Sequence, residues 1–191
     1  MSQPAPRDFF DLPANLPAPV DDGACDHLPG LRLPSMPLAA TDGSQVDLAT
    51  LPGRSVVYIY PRTGRPDQPL PTGWDEIPGA RGCTPQSCAY RDRAAEFSAL
   101  GARIFGLSTQ DTPYQAEAAA RLHLPFPLLS DEYLAFAAAL RLPTFSVDGM
   151  TLIRRLTLIV RDGVIETAFY PVFPSDADAG NVAAWLQANP V

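Results

Sequence analysis

Two cysteines five residues apart, Cys83 and Cys88, lie where a proline-rich stretch gives way to a helical pattern. The segment reads Gly82-Cys83-Thr84-Pro85-Gln86-Ser87-Cys88. Thr84 suits a helix N-cap and Pro85 the first helical position, so Cys83 is expected immediately before a helix. Unpaired backbone N–H groups and the positive end of the helix dipole favour an anion there. For a cysteine that anion is the thiolate, the nucleophilic and redox-active form. The competing reading is a small buried residue at a helix entrance. A second cysteine nearby and a long preceding loop weigh against it.

The spacing carries its own constraint. A regular helix separates residues five apart by about 7.5 Å of rise and roughly 140° of rotation. A disulfide usually needs Cα atoms about 4.4–6.8 Å apart. The two sulfurs therefore cannot bond while the first turn is intact, and any reaction between them requires local unwinding. Cys25 lies between Ala24 and Asp26 with no cap or partner nearby in sequence, and reads as incidental. The two histidines, His27 and His123, do not complete a zinc site with Cys-x4-Cys, which lacks a matching second ligand pair. His123, between Leu122 and Leu124, is expected to be packed. No metal and no cofactor are expected.

Composition narrows the chemistry further. The chain has 191 residues and 14 basic side chains, all of them arginine. Without lysine there is no Schiff-base nucleophile, no lysine-bound pyridoxal phosphate or biotin, and no phosphate loop of the Gly-x-x-x-x-Gly-Lys type. The net charge of -7 argues against nucleic acid as a partner. No apolar run reaches the roughly 20 residues of a membrane span. The opening MSQPAPRDFFDLPANLP lacks the pattern of a secretory signal, and three cysteines suit no disulfide scaffold, so a cytoplasmic protein is expected.

The elements that must position the cysteines follow from periodicity and punctuation. Of the 22 prolines, eight fall in residues 1–37 and six in residues 61–85. Residues 1–32 read as a proline-rich arm, and 33–191 as one domain. SVVYIY (55–60) reads as a buried strand. The helix after Cys83 is expected to run to Gly101, with Tyr90, Ala94 and Phe97 on one apolar stripe. ARIFGLS (102–108) is the next strand. Thr112 has capping-box spacing and should start a second helix. PLLS (127–130) is a short strand, with Ser130 capping the helix in DEYLAFAAAL. LTLIV (156–160) and VIETAF (164–169) form a hairpin, followed by a helix over about 178–188. The order β-α-β-α-β-α-β-β-α predicts an α/β fold: a mixed central sheet with helices on both faces, as in a thioredoxin-like fold.

These residues resemble the peroxiredoxins, specifically the peroxiredoxin Q or bacterioferritin comigratory protein type. The resemblance covers about residues 33–188. It rests chiefly on Gly82-Cys83-Thr84 with Cys88 and Arg91-Asp92. Leu33-Pro34 through Asp42-Gly43, the strand ending at Tyr60-Pro61 and Leu129-Ser130-Asp131 support it. It implies a thiol-dependent peroxidase acting on hydrogen peroxide or organic hydroperoxides. Cys83 would be the peroxidatic cysteine, becoming a sulfenic acid. Cys88 would be the resolving cysteine, closing an intramolecular disulfide that a thioredoxin- or glutaredoxin-like donor reduces. It also implies an arginine at the thiolate. Counting back nine from Gly163 gives Arg154, with Arg155 as its competitor, since strand neighbours face opposite sides. The protein would be a monomer or homodimer.

The resemblance fails at one place. The family pattern is Pro-x-x-x-Thr-x-x-Cys, but here Pro61 stands 22 residues before Cys83 and Ala80 fills the hydroxyl position. Residues 62–81 read as an insertion in the active-site loop. Pro61 and Thr63 still begin the loop as the family does. Thr63, Thr84 and Thr72 are candidates for the missing hydroxyl. The alternative is a peroxiredoxin-like redox sensor or thiol-disulfide adaptor with weak peroxidase turnover.

Overall fold

The computed structural model describes residues 12–190. The first strands are β1 (Leu38–Ala40), β2 (Gln45–Val46) and β3 (Arg54–Ile59). After the long loop come α1 (Cys83–Asp92), α2 (Ala94–Ala99) and β4 (Ala102–Ser108). Next are α3 (Thr112–Arg121), β5 (Leu128–Ser130) and α4 (Ala135–Leu140). The chain ends with β6 (Thr144–Val147), β7 (Met150–Ile153), β8 (Leu156–Arg161), β9 (Val164–Phe169) and α5 (Asp178–Ala188).

Seven strands form one sheet in the order β2-β1-β5-β4-β3-β8-β9, and β6 and β7 pair apart from it. β3 runs parallel to β4, β4 parallel to β5, and β8 antiparallel to both β3 and β9. The sheet is thus mixed, as the element order predicts. β3 lies inside it, between β4 and β8, and is buried throughout, which is why its sequence is a continuous apolar run rather than an alternation. Successive side chains still divide between faces. Val57 and Ile59 join Phe136, Ala137 and Leu140 of α4. Val56 and Tyr58 join Tyr90 of α1, Phe97 of α2, and Val182 and Leu186 of α5. Helices therefore cover both faces.

Several helix starts differ from expectation by one residue or a few. α3 is capped by Asp111, not Thr112: its carboxylate accepts the Tyr114 N–H at 2.7 Å. A carboxylate is the stronger acceptor and also complements the helix dipole. Asp131, not Ser130, serves α4, accepting from the N–H groups of Phe136 and Ala137. Ser130 instead donates to the Gln110 carbonyl. The helix expected to run from Thr84 to Gly101 is broken at Arg93, which has φ -106 and ψ 7. Tyr90 and Phe97 nevertheless remain on one face, their rings 5.5 Å apart.

The arm is less separate than its composition suggests. Residues 1–11 lie outside the described residues. Cys25 and Leu28 are buried in the main core, and Gly30 and Leu33 donate to the carbonyls of Ile165 and Gly163 along the β9 edge. The boundary placed at residue 32 thus falls inside packed structure. Pro19 lies against Gly79, and Leu12 against Gly82.

The β6–β7 hairpin was not anticipated. Its signal is Asp148-Gly149, with φ of 47° and 75° between two apolar runs, a two-residue turn whose backbone twist matches antiparallel strands. The hairpin explains the insertion. Residues 62–81 start against α3, where Arg62 lies over the Tyr114 ring at 4.7 Å and Gly64 accepts from Arg121. They end against the hairpin, where Trp74 and Ala80 pack on Leu152 and the Trp74 ring sits 6.2 Å from Phe145. Trp74 opens a short 3-10 turn, Trp74–Glu76. Truncating Trp74 to Ala is expected to cost about 3 kcal/mol, as for other buried aromatics. A lowered denaturant midpoint with unchanged far-UV circular dichroism is the expected reading; an unchanged midpoint would show that the insertion contributes no stability.

Candidate active site

Cys83 is the first residue of α1, not the residue before it, and Gly82 is the N-cap. Thr84 therefore lies within the helix, buried, and caps nothing. The reason is steric. Gly82 has φ 105, a conformation L side chains rarely adopt, and a Cβ there would collide with Ser175 Oγ. The helix start is thus set by close packing of backbone against residue 175 rather than by a capping hydroxyl. No side chain caps α1, so the dipole acts on Cys83 without a competing anion at the N-cap. Cys83 is only 3% exposed.

The arginine that meets the sulfur is Arg155. Its Nη2 donates to Cys83 Sγ at 3.2 Å, and Sγ also lies 3.6 Å from the Ala80 carbonyl. Arg154, the expected residue, lies elsewhere, with its guanidinium 5.9 Å from the Phe145 ring centroid and its backbone N–H on Pro143. Strand parity decides between them. Leu156, Leu158 and Val160 belong to the face covered by α4, whereas Ile159 belongs to the face covered by α1. Arg155 shares the parity of Ile159, and Arg154 does not. The count from Gly163 placed Thr157 where the family pattern has an apolar residue, and that mismatch was the legible warning.

Arg155 is held almost entirely by neutral acceptors. Nη2 also reaches the carbonyls of Ala80 (3.0 Å) and Arg81 (3.2 Å), Nε reaches Gly79, and Nη1 reaches Gln86 Oε1. The last three residues of the insertion thus form the acceptor shell of this guanidinium. Gln86 continues the network, its Nε2 donating to Asp178 Oδ2 at 2.8 Å. Tyr90 Oη and Thr157 Oγ1 donate to the same oxygen at 2.8 and 2.7 Å. Burial pushes the Asp178 carboxyl up, opposed by those three hydrogen bonds and by the charge of Arg155.

Cys88 lies on the same helix and, like Cys83, is a free thiol. Burial pushes its thiol up, with Arg91 the leading opposing charge. More than one turn of α1 separates it from Cys83. Cys25 is buried as well, its thiol pushed up to about 12 by burial and then by Asp22.

Of the expected hydroxyls, that of Thr63 is engaged elsewhere and Thr72 lies at the surface, while Thr84 follows Cys83 in α1. Thr63 is buried and its Oγ1 donates to Gln110 Oε1 at 3.0 Å, as does its own N–H at 2.9 Å. Thr72 is exposed, and its N–H binds Asp148. Pro61 is buried at the end of β3, some way along the chain from the insertion's final residues. Sequence reasoning missed Gln86, Thr157, Ser175 and Asp178. Gln86 was legible, being one helical turn from Cys83 and hence on its side of α1. Ser175 and Asp178 were not, because nothing local tells which residues at the start of α5 face inward. Ser175 Oγ is a buried hydroxyl with no hydrogen-bond partner among the described residues. Also among these residues, no three His, Cys, Asp or Glu side chains are grouped to hold a metal ion, and no helix is long and apolar enough to cross a membrane.

Several known proteins resemble this chain in sequence and in fold. The redoxin family profile matches residues 26–184. A putative peroxiredoxin of Mycobacterium tuberculosis is 32% identical over 149 residues, covering 75% of this chain and 85% of that protein. A putative chloroplastic peroxiredoxin Q of Oryza sativa subsp. indica is 31% identical over 160 residues, 83% of this chain, and the match spans 66% of the rice protein's length. Among solved structures, peroxidoxin BcpB of Mycobacterium tuberculosis superposes with a TM-score of 0.68 at 26% identity, over 86% of this chain and all of that one. Peroxiredoxin Q of Xanthomonas campestris shares the fold, with a TM-score of 0.64 over 91% of this chain and 98% of its own. The fold is thioredoxin-like, and the chain belongs to the redoxin family as a peroxiredoxin.

Proposed function

We propose that this chain is a thiol-dependent peroxidase in which Cys83 attacks hydrogen peroxide or an organic hydroperoxide and Cys88 resolves the product. The observation that carries the reading is the 3.2 Å contact between Arg155 Nη2 and Cys83 Sγ at an uncapped helix start. A permanent charge with fixed donors stabilises the thiolate and offers N–H groups to the peroxide oxygens. The thiolate attacks one oxygen and the O–O bond breaks. The attacked oxygen keeps its proton, so Cys83 is left as a sulfenic acid, and the hydroxide or alkoxide leaves with the thiolate's negative charge to be protonated in bulk solvent. The N–H groups that begin α1 and the arginine then face the oxygen that carries the developing charge.

Resolution requires α1 to open. The first turn holds the two sulfurs apart, and burial keeps Cys88 a thiol. Unwinding residues 83–88 brings Cys88 to the sulfenic sulfur. The S–S bond forms and the hydroxyl leaves as water. A dithiol reductant of the thioredoxin or glutaredoxin kind then returns two electrons.

The roles separate by substitution. Cys83→Ser should abolish peroxide consumption in a thioredoxin-coupled assay. Cys88→Ser should retain a single turnover and accumulate sulfinic acid by mass spectrometry. Undiminished turnover in Cys83→Ser would refute the assignment. Arg155→Ala should lower the second-order rate with peroxide by about 100-fold, the usual loss on removing a donor from a developing anion. Arg154→Ala should change it by less than about threefold, as surface charges do. Equal losses in the two would overturn the choice of Arg155. Amide hydrogen exchange compares the redox states: residues 83–90 should be protected when reduced and lose protection when oxidised. Equal protection would rule out unwinding as the resolving step.

A further inference from the structure

The guanidinium of Arg155 belongs to a residue only 3% exposed, yet no carboxylate touches it among the described residues. Charges taken out of water require a compensating charge as well as hydrogen bonds. Two groups near this arginine can carry one: the Cys83 thiolate, in direct contact, and the Asp178 carboxyl, one glutamine away. The other titratable groups around them are the Cys88 thiol, which burial also pushes up, the Arg81 guanidinium, which pairs with Asp75, and three phenols. Tyr58, Tyr60 and Tyr90 are wholly buried, which pushes all three up and keeps them neutral. Tyr58 and Tyr60 lie behind Cys83, and Tyr90 donates to Asp178.

Hydrogen-bond direction bears on the state of Asp178. An arginine only donates, so Gln86 must turn its carbonyl toward Arg155 and its NH₂ toward Asp178. Asp178 Oδ2 must then accept, and it accepts from Tyr90 and Thr157 as well. Three donors converging on one oxygen suit a carboxylate. The chain of bonds from Arg155 through Gln86 to Asp178 runs in one direction, so each bond polarises the next.

We infer that Asp178 is the resident counter-ion of Arg155, a positioning residue that shares the arginine's charge with the Cys83 thiolate through Gln86. The inference rests on the peroxidase reading for its use, though not for its test. In the reduced state two anions divide one cation, which keeps the thiolate from being over-stabilised and so preserves its nucleophilicity. When the thiolate becomes a neutral sulfenic acid, its charge leaves with the departing oxygen. Asp178 then remains, among the described residues, as the anion balancing Arg155, so the buried site does not hold an uncompensated cation while it waits for Cys88.

The test measures Cys83 alkylation by iodoacetamide against pH, read peptide by peptide, in the wild type, Asp178→Asn and Thr157→Val. Asparagine can accept the same three hydrogen bonds without the charge. The half-point for Cys83 should therefore move down by about one unit in Asp178→Asn, roughly tenfold more thiolate on the acid side. Thr157→Val loosens the network but keeps the charge, and should not lower it. An unmoved or raised half-point in Asp178→Asn would overturn the inference, as would an equal fall in Thr157→Val. Should Asp178→Asn fail to fold, carboxyl ¹³C NMR of the wild type decides: Asp178 should be ionised at pH 7, and a protonated carboxyl would overturn the inference. Peroxide consumption by the wild type is measured alongside. Its absence would remove the peroxidase reading and leave the alkylation result standing.

Discussion

A buried cation that no carboxylate among the described residues touches is the constraint around which this molecule is arranged. Arg155 needs an acceptor for nearly every N–H it carries, and it finds them on two separate parts of the chain. The end of the insertion supplies three carbonyls and α1 supplies the Gln86 amide and the Cys83 sulfur, while the first residue of α5 supplies the distant charge. Removing one of these acceptors leaves a guanidinium donor unsatisfied in a buried site, where such a loss costs about 1–3 kcal/mol. The insertion therefore cannot be regarded as a decoration on a family loop. Its last residues, Gly79 to Arg81, form part of the cradle that aims the arginine.

This also accounts for the absent hydroxyl. Ala80 is fully buried and its side chain packs with Trp74 and Leu152. Its carbonyl, not its side chain, faces both Arg155 and Cys83 Sγ. Backbone has taken over at a position where the family pattern calls for a side chain. The hairpin β6–β7 fixes that backbone by docking the insertion from outside, and the same hairpin leads directly into Arg154 and Arg155. One connection thus sets both partners of the central contact.

Much of this was legible and some was not, for reasons that can be named. β4 and the hairpin β8–β9 followed directly from continuous apolar runs bounded by turn residues. Helix starts slipped because Thr112 and Ser130 are adequate caps, but a neighbouring aspartate is better. Arg155 was recoverable from parity along β8, but a count across a turn of unknown length favoured Arg154. Asp178 and Ser175 were beyond reach. Their proximity to α1 depends on how α5 packs across the sheet, which is a long-range contact with no local signature.

The three buried thiols have different exits from the fold. Cys83 and Cys88 lie in the first turns of a single short helix, whereas Cys25 is seated in the main core with Leu28 and Leu33. Opening α1 exposes the first two and leaves the third covered, and only loss of the core uncovers Cys25. Local and global opening have separate free energies in a folded protein. The chain thus carries its own internal clock: the lag between labelling of Cys83 or Cys88 and labelling of Cys25 measures how far the active-site helix moves independently of the rest of the molecule.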